Sequence, residues 1–153
     1  MSRRDLIRMT GAEVDAFLHE PRTMNLATRN HDDTIHLVAM WYGFLDGRIG
    51  FETFAKSQKV RNLRRDDRLT ALVEAGDSYD QLRGVELVGH VEVTDDSEVL
   101  MAVARDVIDR YQPGVGAADV EAVARMMVQK RVAILFTPER VVSWDHRKLA
   151  GGY

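Results

Sequence analysis

The sequence predicts a mainly β domain, an antiparallel barrel carrying appended helices. Three observations lead there. Short runs rich in β-branched and aromatic residues recur along the chain, separated by turn residues, with Asp46-Gly47 the strongest hairpin signal. Most connections between these runs are too short for the crossovers that a parallel sheet requires. Helical periodicity appears only near the start, after the third strand, and in one insertion before the closing strands.

The elements follow in order. Thr10 to His19 reads as a short amphipathic helix, with Thr10 as its cap, Glu13 completing a capping box, and Val14, Phe17 and Leu18 as its apolar stripe. Pro21 ends it. Thr23 to Thr28 reads as a strand and Asn30 to Asp33 as a turn. Thr34 to Leu45 reads as one longer strand, and Arg48 to Phe54 returns from the Asp46-Gly47 turn as the third. Ser57 to Arg65 has a helical pattern with Val60 and Leu63 on its buried side. Leu69 to Ala75 is an apolar strand, Gly76 to Ser78 a turn, and Leu82 to Thr94 a long strand in which Gly84 and Gly89 suggest bends or bulges. Ser97 caps a helix to Tyr111, Pro113-Gly114 breaks it, and a second helix runs from Ala118 to about Gln129. Two short strands, Val132 to Phe136 and Arg140 to Trp144, close the chain before a polar tail.

Length and composition bound the function. The 153 residues suit a single domain, for which 1–153 is the expected extent. The chain has no cysteine, which excludes disulfides, thiolate metal sites and cysteine nucleophiles and suits a reducing, cytoplasmic setting. The first twenty residues lack the apolar run of a signal peptide, and no window approaches a membrane span. The net charge of -3 argues against a dedicated nucleic-acid binder. Charge is uneven, however: Lys56 to Arg68 holds six basic and two acidic residues, a local +4, which leaves -7 on the rest. A compact basic segment on an acidic protein points to a local anionic ligand.

That segment holds the chemistry. A strand ends near Thr53 and a helix starts near Ser57, and the free amides of a helix start bind anions. Ser57 and Thr53 offer hydroxyls, Lys56 and Lys59 offer point charges, and together they suit one terminal phosphate. The plain alternative is a solvated basic helix, and the residues alone leave the two about even.

The run Ser57-Gln58-Lys59-Val60-Arg61-Asn62-Leu63-Arg64-Arg65-Asp66-Asp67-Arg68 resembles the motif after the third strand of the pyridoxamine-phosphate-oxidase-like superfamily. Asn25 to Thr28, His36 to Tyr42 and Leu82 to Gly89 extend the resemblance, which covers about Asp15 to Trp144. Among the branches it looks closest to the flavin/deazaflavin oxidoreductases common in actinobacteria. The resemblance implies an FMN-binding split antiparallel β-barrel of Greek-key type with appended helices. It implies that Lys59, helped by the Ser57 hydroxyl, holds the cofactor phosphate, with Lys56 nearby. Thr53 would flank the ribityl chain, and Val38, Ala39, Met40 and Trp41 would line the tricyclic ring. Asn62 would face the same site. Members are homodimers with the cofactor at the interface, so Tyr79, Arg83 and Trp144 would serve the partner's cofactor or substrate. Three departures stand out: Asp33 where a glycine is usual, Asp67 where proline is common, and no C-terminal Arg-Leu-x-Pro region. The last makes pyridoxamine-phosphate oxidation itself an unsuitable assignment.

The expected activity is hydride transfer from reduced coenzyme F420, a phosphorylated deazaflavin, to an unsaturated small organic acceptor. FMN is the alternative cofactor, and a non-catalytic cofactor carrier the alternative class. The glutamyl tail of F420 would suit a basic groove from Arg61, Arg64 and Arg65. No residue stands out as a catalytic acid, although His36, His90 and His146 are candidate proton donors. Trp41 and Trp144 are as readily core as stacking surface. His31-Asp32-Asp33 reads as a turn and no metal site is expected; Ser57 lacks the partners of a nucleophile. Trp144 to Lys148, followed by Gly151-Gly152, reads as a lid or a loose end. Nucleic-acid binding through Arg64 and Arg65 is disfavoured by the absence of interleaved aromatic residues.

Overall fold

The computed structural model describes residues 2–149. Seven strands form one curled antiparallel sheet, a half-barrel: β1 (Met24–Arg29), β2 (Ile35–Met40), β3 (Gly43–Leu45), β4 (Arg48–Phe54), β5 (Arg68–Ala75), β6 (Arg83–Thr94) and β7 (Arg131–Asp145). Their order across the sheet is β2-β1-β5-β6-β7-β4-β3. Five helices attend it: α1 (Arg3–Ile7), α2 (Gly11–His19), α3 (Gln58–Arg65), α4 (Ser97–Tyr111) and α5 (Val120–Met127). No helix among the described residues is long and apolar enough to cross a membrane.

Alternation builds the core. Met24 and Leu26 of β1, Leu69, Ala71 and Val73 of β5, Val85 and Leu87 of β6, and Val132, Ile134 and Phe136 of β7 all point inward. On the opposite face of β7, Ala133 and Leu135 pack under α4 against Leu100, Val103 and Val107. The amphipathic helices therefore cover a second face that the strand pattern alone leaves apolar. Where they stop, the face is open.

Several boundaries differ from expectation for local reasons. The single strand expected over Thr34 to Leu45 is broken at Trp41-Tyr42. Its first half pairs with β1 and its second with β4, at opposite edges of the sheet. Tyr42 turns fully into the core and donates to the Leu18 carbonyl at 2.6 Å, and that burial forces the break. Conversely, the two closing strands are one continuous β7, with a register shift opposite Val88/Gly89 that accommodates Pro138. Gly89 thus sits at the expected bulge. Gly84 does not: the Trp144 indole lies across β6 there, and a Cβ would come within 2.1 Å of it.

The capping box forms as expected, with Thr10 Oγ1 accepting from the Glu13 amide at 3.2 Å and Glu13 Oε2 from the Thr10 amide at 2.6 Å. A second, Ser2 with Asp5, starts the unexpected α1. Asp96, not Ser97, caps α4, its carboxylate accepting from the Glu98 and Val99 amides. Helix α5 begins at Val120, two residues later than expected. Asp33 and Asp46 adopt left-handed φ values of 67° and 50°. Asp tolerates that region, so Asp33 fills the glycine position within the turn. The tail forms a short 3-10 turn over His146–Leu149, and Gly151 and Gly152 lie outside the described residues.

Candidate functional site

The corner where β4 hands over to α3 carries polar groups that the fold does not use. Val60 and Leu63 anchor α3 on the core, and this turns Lys59 inward beside them, 8% exposed. Its Nζ donates to Thr53 Oγ1 at 3.0 Å. Burial, reinforced by the nearby Arg131 guanidinium, pushes the Lys59 pKa down. Ser57 occupies the cap position of α3, yet its side chain makes no cap hydrogen bond. Its Oγ is buried and has no hydrogen-bond partner. A helix start with no side-chain cap, beside a buried hydroxyl lacking a partner, is able to accept an anion.

Two residues that local sequence reading did not single out stand on the other face of β4. Pairing of β4 with β7 sets Phe54 opposite Arg131. Arg131 forms an ion pair with Glu52, lies over the Phe54 ring at 4.4 Å, and has its buried Nε without a partner. Glu52 is 6% exposed, and burial raises its pKa against the opposing pull of Arg131 and Lys59. With two cations to one carboxylate, the corner holds net positive charge. Nothing local could have marked Arg131, which is brought in only by strand pairing 77 positions away from Phe54.

A cleft of about 360 Å³ opens beside Glu52 and Arg131, lined also by Thr23, Ala39, Met40 and Trp41. The curl of the sheet brings the end of β2 to β4 and β7, so Ala39, Met40 and Trp41 share this cleft with Glu52 and Arg131. Trp41 is 45% exposed and stacks on Tyr111, with centroids 4.9 Å apart and planes 5° from parallel. Tyr111 is fixed in turn, its hydroxyl donating to the Arg22 carbonyl at 2.7 Å. The wall is therefore a pre-set aromatic surface. Val38 and Met40 both pack half-buried against the core, but Val38 does not line the cleft.

Other expected residues sit elsewhere. Lys56 is exposed in the turn before α3. Asn62 is fully buried and does not face the site, a correction: its amide nitrogen donates to Thr28 Oγ1 and Asn30 Oδ1, and its oxygen accepts from Gln58. Its two amide hydrogens tie α3 to the end of β1 and the turn that follows. Tyr79, Arg83 and Trp144 gather at the far end of β6, where Arg83 pairs with Asp145 in register. Twelve residues of β6 separate the two ends, a span of about 35 Å. Arg83 binds Glu20 at 2.9 Å and caps the Phe17 ring, and Tyr79 meets His146 edge-on at 4.4 Å. Of the candidate proton donors, none lines the cleft; His90 is held by Asp67 at 2.9 Å, which raises its pKa. Asp32, in the expected turn, accepts from the Thr34 amide and hydroxyl.

Residues 10–145 match the family described as pyridoxamine 5'-phosphate oxidase. The chain belongs to this family. As a family member it carries the flavin-binding split-barrel fold. A structure of a conserved hypothetical protein, Rv2991 from Mycobacterium tuberculosis, is similar with TM-score 0.91 and 42% identity, over 100% of this chain and 95% of that one. An F420 reductase is similar with TM-score 0.62 and 25% identity, over 83% and 94% of the respective chains. The fold is also that of HutZ, a haem storage protein from Vibrio cholerae, with TM-score 0.67 and 14% identity over 87% and 94%. Comparison with curated proteins gives no match.

Proposed function

We propose that this family member is a cytoplasmic, homodimeric oxidoreductase that delivers hydride from reduced coenzyme F420 to an unsaturated small organic acceptor. The observation that carries the reading is the unmet demand at the start of α3: a partnerless Ser57 hydroxyl and an uncapped first turn beside buried Lys59. A terminal phosphate satisfies all three at once. The reduced deazaflavin supplies the hydride when bound. Lys59 and Ser57 hold the phosphate, Thr53 fixes the Lys59 ammonium, and Ala39, Met40 and Trp41 orient the ring and exclude water from one side. The similarity to an F420 reductase supports the cofactor. The phosphate corner suits FMN equally, which is the second reading.

The second subunit is supported by an uncovered face. Ile35 and Leu37 on β2 are 63% and 67% exposed, and in register with Leu37 the face continues across Ala27, Thr70 and Val88. A patch of that kind on a sheet edge suits burial against a second copy. Haem is a poorer fit, since no histidine lines the cleft. The test is titration of the purified protein with coenzyme F420 and with FMN, followed by fluorescence. Saturable binding of F420 with turnover of an acceptor supports the reading; binding of FMN alone moves it to the second. Failure of both to bind overturns it.

A further inference from the structure

The cleft beside Trp41 has an uncharged wall and a charged end. Ala39, Met40 and Trp41 form the wall, and Glu52 and Arg131 are the only charged residues that line the cleft among the described residues. Strand register sets the two together: Phe54 pairs with Arg131, and Glu52 stands two residues back on the same face of β4, diagonal to it. Neither side chain is saturated by the other. Arg131 carries five N–H donors in a planar fork; its Nη1 donates to Glu52, while its Nε has no partner. The Phe54 ring backs the guanidinium at 4.4 Å and steadies its plane. The Glu52 carboxylate takes that bond on Oε2, and among the described residues no donor reaches Oε1.

The two charges offset each other, so this end of the cleft attracts neither a bare anion nor a bare cation. What it presents is a pattern, a donor fork beside an acceptor oxygen at the end of an aromatic wall. The complementary pattern on a flat ligand is a ring carbonyl next to a ring N–H, the edge of a cyclic imide. We propose that the Glu52–Arg131 pair reads the imide edge of a conjugated ring lying along Trp41, with the Arg131 fork donating to a ring carbonyl and the Glu52 carboxylate accepting from the adjacent ring N–H. This role rests on the cofactor reading above, because flavins and deazaflavins both carry that edge, and it does not depend on where their phosphate is held. The pair makes the cleft selective: a ring whose N–H is blocked leaves a nearly buried carboxylate facing an alkyl group, and an acceptor left unmatched out of water weakens binding.

The test compares each cofactor with its N3-methyl derivative, in which the imide N–H is blocked. Wild type, E52L/R131M and K59A are titrated with the cofactor that wild type binds, FMN or coenzyme F420, and with that derivative. Exchanging a buried ion pair for apolar residues of similar volume is usually tolerated, and thermal unfolding checks the fold. If E52L/R131M does not fold, E52M/R131M, with two pliable side chains, takes its place. Wild type is expected to bind the derivative roughly tenfold or more weakly, the scale of one charge-assisted hydrogen bond. The double variant is expected to bind the parent cofactor roughly tenfold or more weakly and to lose the preference for it over the derivative. K59A is expected to weaken both ligands alike and to keep their ratio. Wild-type affinities within about twofold of each other, or a double variant that keeps the wild-type ratio, overturn the proposal. Unchanged cofactor affinity in K59A with the ratio intact defeats the phosphate reading alone, whereas a missing preference with K59A still weakened defeats this one alone. Wild type binding neither cofactor overturns both.

Discussion

The two ends of β6 and β7 are both rich in arginine and carboxylate, yet they treat charge in opposite ways. At the far end, Arg83 binds Glu20, Arg22 binds the same carboxylate, and Arg147 binds Asp145 at 2.6 Å. Arg83 also lies over the Phe17 ring at 4.9 Å. At the α3 corner, Ser57 Oγ and Arg131 Nε are buried without partners, and the helix start has no side-chain cap. Equal charge density is therefore a poor guide to a ligand site. The discriminating feature is unfinished hydrogen bonding gathered at a helix start: among the described residues the far end leaves His146 Nδ1 buried without a partner, whereas the α3 corner sets the partnerless Ser57 hydroxyl on an uncapped first turn.

Several measurements can break or sharpen that contrast. The largest effect is expected for Lys59→Ala, which removes the central cation of the open corner. It should cost on the order of 1.5–3 kcal/mol of cofactor affinity, read by titration. Unchanged affinity would place the phosphate elsewhere. At the far end the corresponding lesion is one of packing. Gly84→Ala puts a methyl into the Trp144 ring, and denaturant unfolding should show a loss of about 1–3 kcal/mol, largely relieved in Gly84→Ala/Trp144→Ala. A full loss in the double variant would mean that the indole is not the obstacle. Ser57→Ala is expected to do two different things. Cofactor affinity should fall by about 1 kcal/mol, while the free protein keeps or gains stability, since a partnerless hydroxyl leaves the interior. A clear loss of stability would show the hydroxyl to be engaged.

The smallest effect is one of sign with pH. Arg147 holds the Asp145 carboxyl below its ordinary range. Asp145 therefore contributes stability that is present above the usual carboxylate pKa and is lost as pH falls through its depressed value. Burial holds Glu52 above its ordinary range, so its contribution is greatest below the usual pKa and is lost as pH rises through the raised value. Stability profiles of Asp145→Asn and Glu52→Gln, each compared with wild type, should diverge from it in opposite directions. Parallel profiles would erase the contrast.

Much of this was legible in the residues. Period-two burial, the Asp46-Gly47 hairpin and the Thr10–Glu13 box are local signals, and α2, β1, β4, α3, β5 and β6 formed near their expected bounds. Lys59, Thr53 and Ser57 were legible for the same reason, as one strand end and one helix start. The break at Trp41-Tyr42 was not, because an unbroken aromatic and β-branched run gives no hint that Tyr42 must reach the Leu18 carbonyl. Asn62 was placed at the site by resemblance, while its partners Thr28 and Asn30 lie some thirty residues earlier, outside the motif. Arg131 and Glu52 became neighbours only through the pairing of β4 with β7. By contrast, α1 carries its own local marker in the capping box of Ser2 and Asp5.

The break between β2 and β3 has a mechanical consequence. These strands lie at the two outermost positions of the sheet, yet only Trp41 and Tyr42 separate them in the chain. Three virtual bonds can stretch no more than about 11 Å, so this short hoop ties one rim of the half-barrel to the other. Breathing of the sheet is thereby confined to the rim remote from the hoop. Lengthening it by a few residues would slacken the girdle and unseat the indole from its tyrosine backing.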